Sequence, residues 1–211
     1  MKGLLLKDFY NLSRMIKQYL LILAAMGVWA FFMKNAAFIS MYIALCSAML
    51  VLSSFSYDEY ARFDIYAMTM PIDRKTLVQE KYVLLLLAVG GGTAVGIPVG
   101  GLFGLAFHAD FAETAVSSLA VGCLFLMVYS FVFPYIFKWG VEKARMIMVG
   151  SYLIIFLLFF GVLKLAGISG VRLSEMDFLD WLIPTAMTVL AVVVMGASYV
   201  ISLKIVEKKE W

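Results

Sequence analysis

The side chains that could carry bond-making chemistry are few and scattered. His108 is the single histidine, and Cys46 and Cys123 each fall inside an apolar run. One imidazole cannot build a histidine-based metal cluster. Two cysteines in apolar surroundings read as small buried side chains rather than as a disulfide or metal pair. Gly167-Ile168-Ser169-Gly170 resembles a serine-nucleophile turn only in outline, because the flanking strand and helix that such a turn requires are not predicted there. No G-x-x-x-x-G-K-[ST] phosphate loop occurs, so ATP binding by that route is closed to this chain. No catalytic, metal or cofactor residues are therefore assigned. What remains is charge, and it is bunched. Nine of the 27 residues from Ser56 to Tyr82 are charged: Asp58, Glu59, Arg62, Asp64, Asp73, Arg74, Lys75, Glu80 and Lys81. Charges of this kind orient a partner; alone they break no bonds.

The polar stretch has its own local signals. Ser56 and Glu59 have the spacing of a capping box. They predict a short helix that starts near Tyr57 and stops near Met70, since Pro71 disfavours helical geometry in the residue before it. Asp73 is placed to cap a second helix from Arg74 into the next apolar run. In the first helix Tyr57, Tyr60, Phe63 and Tyr66 recur every three residues and spread along one side. Aromatics in such a row anchor interfaces, while Asp58, Glu59 and Arg62 would set orientation. A solvated loop that only sets topology, or a helix resting on lipid headgroups, is the plainer reading.

These residues must be held by membrane elements. The 211-residue chain is 64% hydrophobic, against roughly half in soluble domains. Apolar runs recur at lengths that cross a bilayer. Six spans are predicted, at about 19–33, 36–55, 83–107, 114–137, 146–166 and 181–203, in a single all-α domain covering residues 1–211. The polar region 56–82 lies between spans two and three. Residues 2–18 form a prelude in which Leu5, Phe9, Leu12 and Ile16 share one helical face, and Lys7, Asn11, Arg14 and Gln18 another. An amphipathic basic helix lying in the membrane interface is expected there. With the N-terminus inside, fourteen of the seventeen Lys and Arg fall on the cytoplasmic side, so both termini are expected in the cytoplasm.

In the third span Gly92, Gly96, Gly100 and Gly104 recur every four residues. Such a stripe lets a neighbouring backbone approach closely. Packing within one protomer and a seam between protomers both remain open. Pro98 predicts a kink in the same span. The spans hold almost no ionisable groups, which argues against a proton-coupled carrier and against most intramembrane enzymes.

Three segments in order carry a resemblance: the opening LLLKDFYNL, the MPIDRKTLVQEKY segment after span two, and PYIFKWGVEKAR after span four. The chain resembles the membrane subunits of bacterial ABC-2 type transporters, and among them the small six-span permeases that include exporters of phenol-soluble modulins and other amphipathic peptides. The resemblance implies the ABC-2, type V exporter-like, permease fold with an N-terminal interfacial helix, in the bacterial cell membrane. It implies a cytoplasmic ABC ATPase subunit as partner, with ATP-Mg bound there and not in this chain, and a second copy of this permease or a related one. The loop motifs Pro71, Asp73, Arg74, Lys75, Lys138, Gly140, Glu142, Lys143 and Arg145 match its pattern, and Tyr57 to Phe63 would form the coupling helix. Membrane lipid is the other expected partner; nucleic acid is not. The segment between spans five and six is short, so no large outer gate is expected. A non-transporting scaffold or sensor subunit of a resistance or signalling complex is the competing class.

Overall fold

A computed structural model describes residues 2–33, 36–69, 73–107, 111–168 and 177–208. Pro71, His108 and Ser169 lie outside the described residues. All of the secondary structure described is helical: α1 Lys2–Met33, α2 Ala36–Tyr60, α3 Phe63–Met68, α4 Arg74–Phe107, α5 Phe111–Trp139, α6 Val141–Ile168 and α7 Asp177–Lys208. Among the described residues α1, α2, α4, α5 and α7 carry apolar stretches long enough to cross a membrane. A bilayer interior offers backbone groups no partner, so each span must satisfy its own hydrogen bonds, as a helix does.

Helix starts and stops follow local chemistry. The helix expected from Arg74 begins there, with the Thr76 N–H donating to the Asp73 carbonyl at 2.9 Å. It passes through Pro98 and ends at Phe107. Two boundaries differ from the sequence expectation. The prelude and the first span are one unbroken helix, because the residues from Ile16 to Leu20 contain no Gly, Pro or capping residue to part them. At 1.5 Å per residue its 32 residues extend about 48 Å, more than the roughly 30 Å hydrocarbon core. The second difference concerns Ser56. It is interior to α2, and its hydroxyl donates to the Leu52 carbonyl at 3.0 Å instead of capping a new helix. The break falls at Arg62, whose φ of 50° and ψ of 37° are left-handed.

The helices alternate up and down, with α2, α4 and α5 at the centre. α7 packs on α5 and α4, α1 on α2, and α6 on the outside of α5. Three of the four stripe glycines face α2 of the same chain. A β-carbon at Gly96 would lie 3.2 Å from the Ser40 carbonyl oxygen, and one at Gly92 or Gly100 would overlap the Ser47 or Ser40 hydroxyl. The Ser40 hydroxyl donates to the Gly96 carbonyl at 2.8 Å. Lower down, the core is aromatic. The ring of Phe133 meets Phe55 at 4.9 Å and Tyr82 at 5.0 Å, both edge to face, the geometry that ring quadrupoles favour. The Tyr82 hydroxyl pairs with Ser198 and Ser202, so its polar end is satisfied where it is buried. Cys46 and Cys123 are free thiols, both buried.

Candidate functional site

Six helix ends converge at one pole of the bundle, and the buried charges there are gathered in one cluster. Lys81, at the start of α4, is the hub. Its Nζ lies 2.7 Å from Asp8 Oδ2 on α1, 2.6 Å from Asp58 Oδ2 on α2 and 2.8 Å from Ser54 Oγ. Lys7 closes the ring, with its Nζ 2.6 Å from Asp58 Oδ1 and 3.2 Å from Asp8 Oδ1. The Lys7 ammonium also sits 3.6 Å from the centre of the Phe63 ring, which ties α3 to α1. Side chains of Asp8 and Lys81 are 1% and 6% exposed. A charge so deep is tolerated only where others match it.

The buried Asp8 and Glu80 carboxyls lie close enough to share a proton. Burial pushes the Asp8 carboxyl upward, but its hydrogen bond with Glu80 and the Lys81 and Lys7 ammonium groups outweigh burial and hold it well below 3.8. As two ionised carboxylates, Asp8 Oδ1 and Glu80 Oε1 would have no hydrogen-bond partner, only the ammonium groups of Lys7 at 3.2 Å and Lys81 at 3.6 Å respectively. The bond between them therefore requires a shared proton. The ammonium groups beside Asp8 favour its ionised form, which places that proton on Glu80. The cluster then holds two positive and two negative charges.

A second junction joins α2 to the turn between α5 and α6. Gly140 has φ of 84°, a conformation glycine adopts without cost. Its N–H donates to the Ile136 carbonyl at 2.9 Å and closes α5. Val141 then opens α6, and its N–H donates to Glu59 Oε2 at 2.6 Å. Glu59 thus supplies from another helix the acceptor that a helix N-terminus lacks. A β-carbon at Gly140 would lie 2.6 Å from Glu59 Oε1, so glycine is required there twice over. Arg145, one turn into α6, donates to Ser56 Oγ at 3.0 Å. A third junction ties α4 to α7: Arg74 donates to the Glu207 carbonyl at 3.0 Å, and Lys75 lies 3.8 Å from the Glu207 carboxylate. Between the junctions lies a cleft of about 310 Å³, walled by Phe55, Phe63, Phe137 and Trp139 and edged by Asp58, Glu59 and Glu80.

The sequence-predicted residues divide sharply. Asp58, Glu59 and Phe63 are committed to internal contacts. Tyr60 is 94% exposed, Tyr66 60% and Tyr57 37%. The aromatic row is split by Arg62, so Tyr57 and Tyr60 end α2 while Phe63 and Tyr66 belong to α3. Lys7 was expected on a polar face of the prelude; it turns inward to Asp58 instead. Asp73, Lys138, Glu142, Lys143 and Arg145 are exposed, and the Lys138 ammonium lies 4.9 Å from the Trp139 ring centre. Asp8, Ser54 and the Glu59–Val141 bond were not anticipated. The available signal was Asp8 itself, an acid alone in a basic, amphipathic segment.

A bundle of apolar helices with its buried charges gathered and paired at one pole is the build of a multi-pass membrane protein. Residues 3–207 match the family model described as ABC-2 family transporter protein. The match covers nearly the whole chain, and the chain belongs to that family. It is a transport membrane component rather than itself a catalyst. No curated protein matches, and no solved structure does.

Proposed function

We propose that this chain is the permease subunit of an ATP-driven exporter, worked by a separate cytoplasmic ABC ATPase. The observation that carries the reading is the pole itself: Tyr60, Ile65 and Tyr66 are exposed on a segment whose Phe63, Asp58 and Glu59 are tied to α1, α4 and α6. A partner pressing on these rings would move three helices at once. The orientation rests on charge, with this pole in the cytoplasm of a bacterial cell and both termini there. α6 is the sixth span; from Met146 to Ala166 its sequence holds one charged residue, Lys164. The working unit contains two permeases, and ATP-Mg is bound in the partner. The scarcity of ionisable side chains along the spans suits a hydrophobic or amphipathic cargo, with amphipathic peptides the first class to try.

The experiment is co-purification with the ABC ATPase, together with cargo-stimulated ATP hydrolysis after reconstitution. A Tyr60→Ala, Tyr66→Ala variant should lose ATPase association, or keep it while hydrolysis no longer drives export. Both rings are exposed, so the fold should persist, and circular dichroism and thermal melting check this. Wild-type association and export in that variant would overturn the docking role. Failure of any ATPase to co-purify with the wild-type chain would favour the scaffold or sensor class.

A further inference from the structure

The groove between α5 and α7 has a chemistry of its own. Its deeper part, about 350 Å³, is walled by Phe131, Pro134, Val194, Ala197 and Ile201. It continues at Lys138, Ile201 and Ile205 into a shallower part of about 450 Å³ that also reaches Lys204 and Lys208. Among the described residues, no acidic side chain lines either part. Glu207, the nearest carboxylate in sequence, turns toward Lys75 on α4. The two helices run in the same direction and end together, so their C-termini bring partial negative charge to this mouth. Three full positive charges outweigh it. Trp139 stands at the same level, where the amphipathic indole is at home between headgroups and chains.

We propose that this groove holds an anionic phospholipid, with an acyl chain along α5 and α7 and the phosphate among Lys138, Lys204 and Lys208. A zwitterionic lipid offers the same chains and phosphate, but its choline or ethanolamine cation would face three ammonium groups. A soluble anion offers only the charge. The groove matches both ends of one molecule, as basic pockets between spans do for anionic headgroups. The inference needs the chain to sit in a bilayer and does not depend on the transport reading.

The test uses the full chain in mild detergent, with palmitoyl-oleoyl phosphatidylglycerol, the phosphatidylcholine of identical chains, and glycerol 3-phosphate. Native mass spectrometry reads retained lipid, and thermal unfolding reads stabilisation. Phosphatidylglycerol should be retained and should raise the melting temperature more than phosphatidylcholine. Lys138→Gln, Lys204→Gln, Lys208→Gln together should weaken this on the order of a hundredfold, about fivefold per lysine. A control triple in which Lys17, Arg62 and Lys143 become Gln, all three also exposed, should leave it unchanged. Ala197→Phe should weaken retention by filling the groove without touching charge. Equal retention of the two lipids, or an equal loss in the control triple, would overturn the site. So would full displacement of the lipid by glycerol 3-phosphate, which would reveal a headgroup site alone.

Discussion

Lys81 occupies the point where α1, α2 and α4 meet, and its replacement tests whether charge or shape holds that point. Lys81→Met keeps most of the volume but leaves Asp8 and Asp58 with the Lys7 ammonium alone to balance them. Removing one member of a buried pair costs about 3–5 kcal/mol, so the purified variant should melt far below wild type. Glu80→Gln should be mild, within about 1 kcal/mol, because an amide reproduces the proton that Glu80 donates. An equal loss from both substitutions would show that Glu80 is ionised. Acid offers a second check. The folded Asp8 value lies below the ordinary 3.8, so its contribution is present above that value and is lost as pH falls toward the folded one. The melting temperature should drop on acidification below about pH 4, and Asp8→Asn should be less stable at neutral pH with a shallower acid slope. Little of this cluster was legible beforehand. The charges of the 56–82 region were visible, but their partners lie 51 and 73 residues away in sequence, and helical spacing says nothing about which remote helix supplies a counter-ion.

Elements were read more easily, because apolar length is a strong and local signal. Helix cores fell where the runs predicted; the ends were decided by contacts between helices. Ser56 and Glu59 have the spacing of a cap, yet Glu59 caps α6 and Ser56 receives Arg145. A motif that serves one helix end can serve another when the fold brings it near. The glycine stripe makes a prediction at this scale. Gly96→Leu with Gly100→Leu should push α4 away from α2 and lower both stability and the yield of folded protein, measured by size exclusion and melting. Normal behaviour would mean that α2 does not lie there. Gly140→Ala forces a β-carbon onto Glu59 and strains a positive φ, at a cost of about 1–3 kcal/mol. Relief of that cost in a Glu59→Ala background would separate the clash from the backbone strain.

For the whole molecule, the gathering of charge at one pole fixes what topology mapping should find. Single cysteines at Asp110 and Asp177, in a chain lacking Cys46 and Cys123, should react with a membrane-impermeant maleimide on intact cells. Cysteines at Ser13 and Asp73 should react only after permeabilisation. The reverse pattern would invert the protein in the membrane. The up-and-down order of helices followed from the runs, but their neighbours did not. That α7 lies against α4 and α5 depends on side-chain contacts such as Tyr82 with Ser198 and Ser198 with the Ser130 carbonyl. These are contacts of shape, and a hydropathy pattern holds no trace of them.

The bond from Glu59 to the first residue of α6 makes that helix a lever with its fulcrum at the polar pole. Its 28 residues extend about 42 Å from the pinned end, and glycines at 150 and 161 have no neighbour against them. A tilt of α2 therefore reaches α6 at its base and grows with distance along it. The largest sweep falls at the opposite membrane face, which under the proposed export function is the side of release.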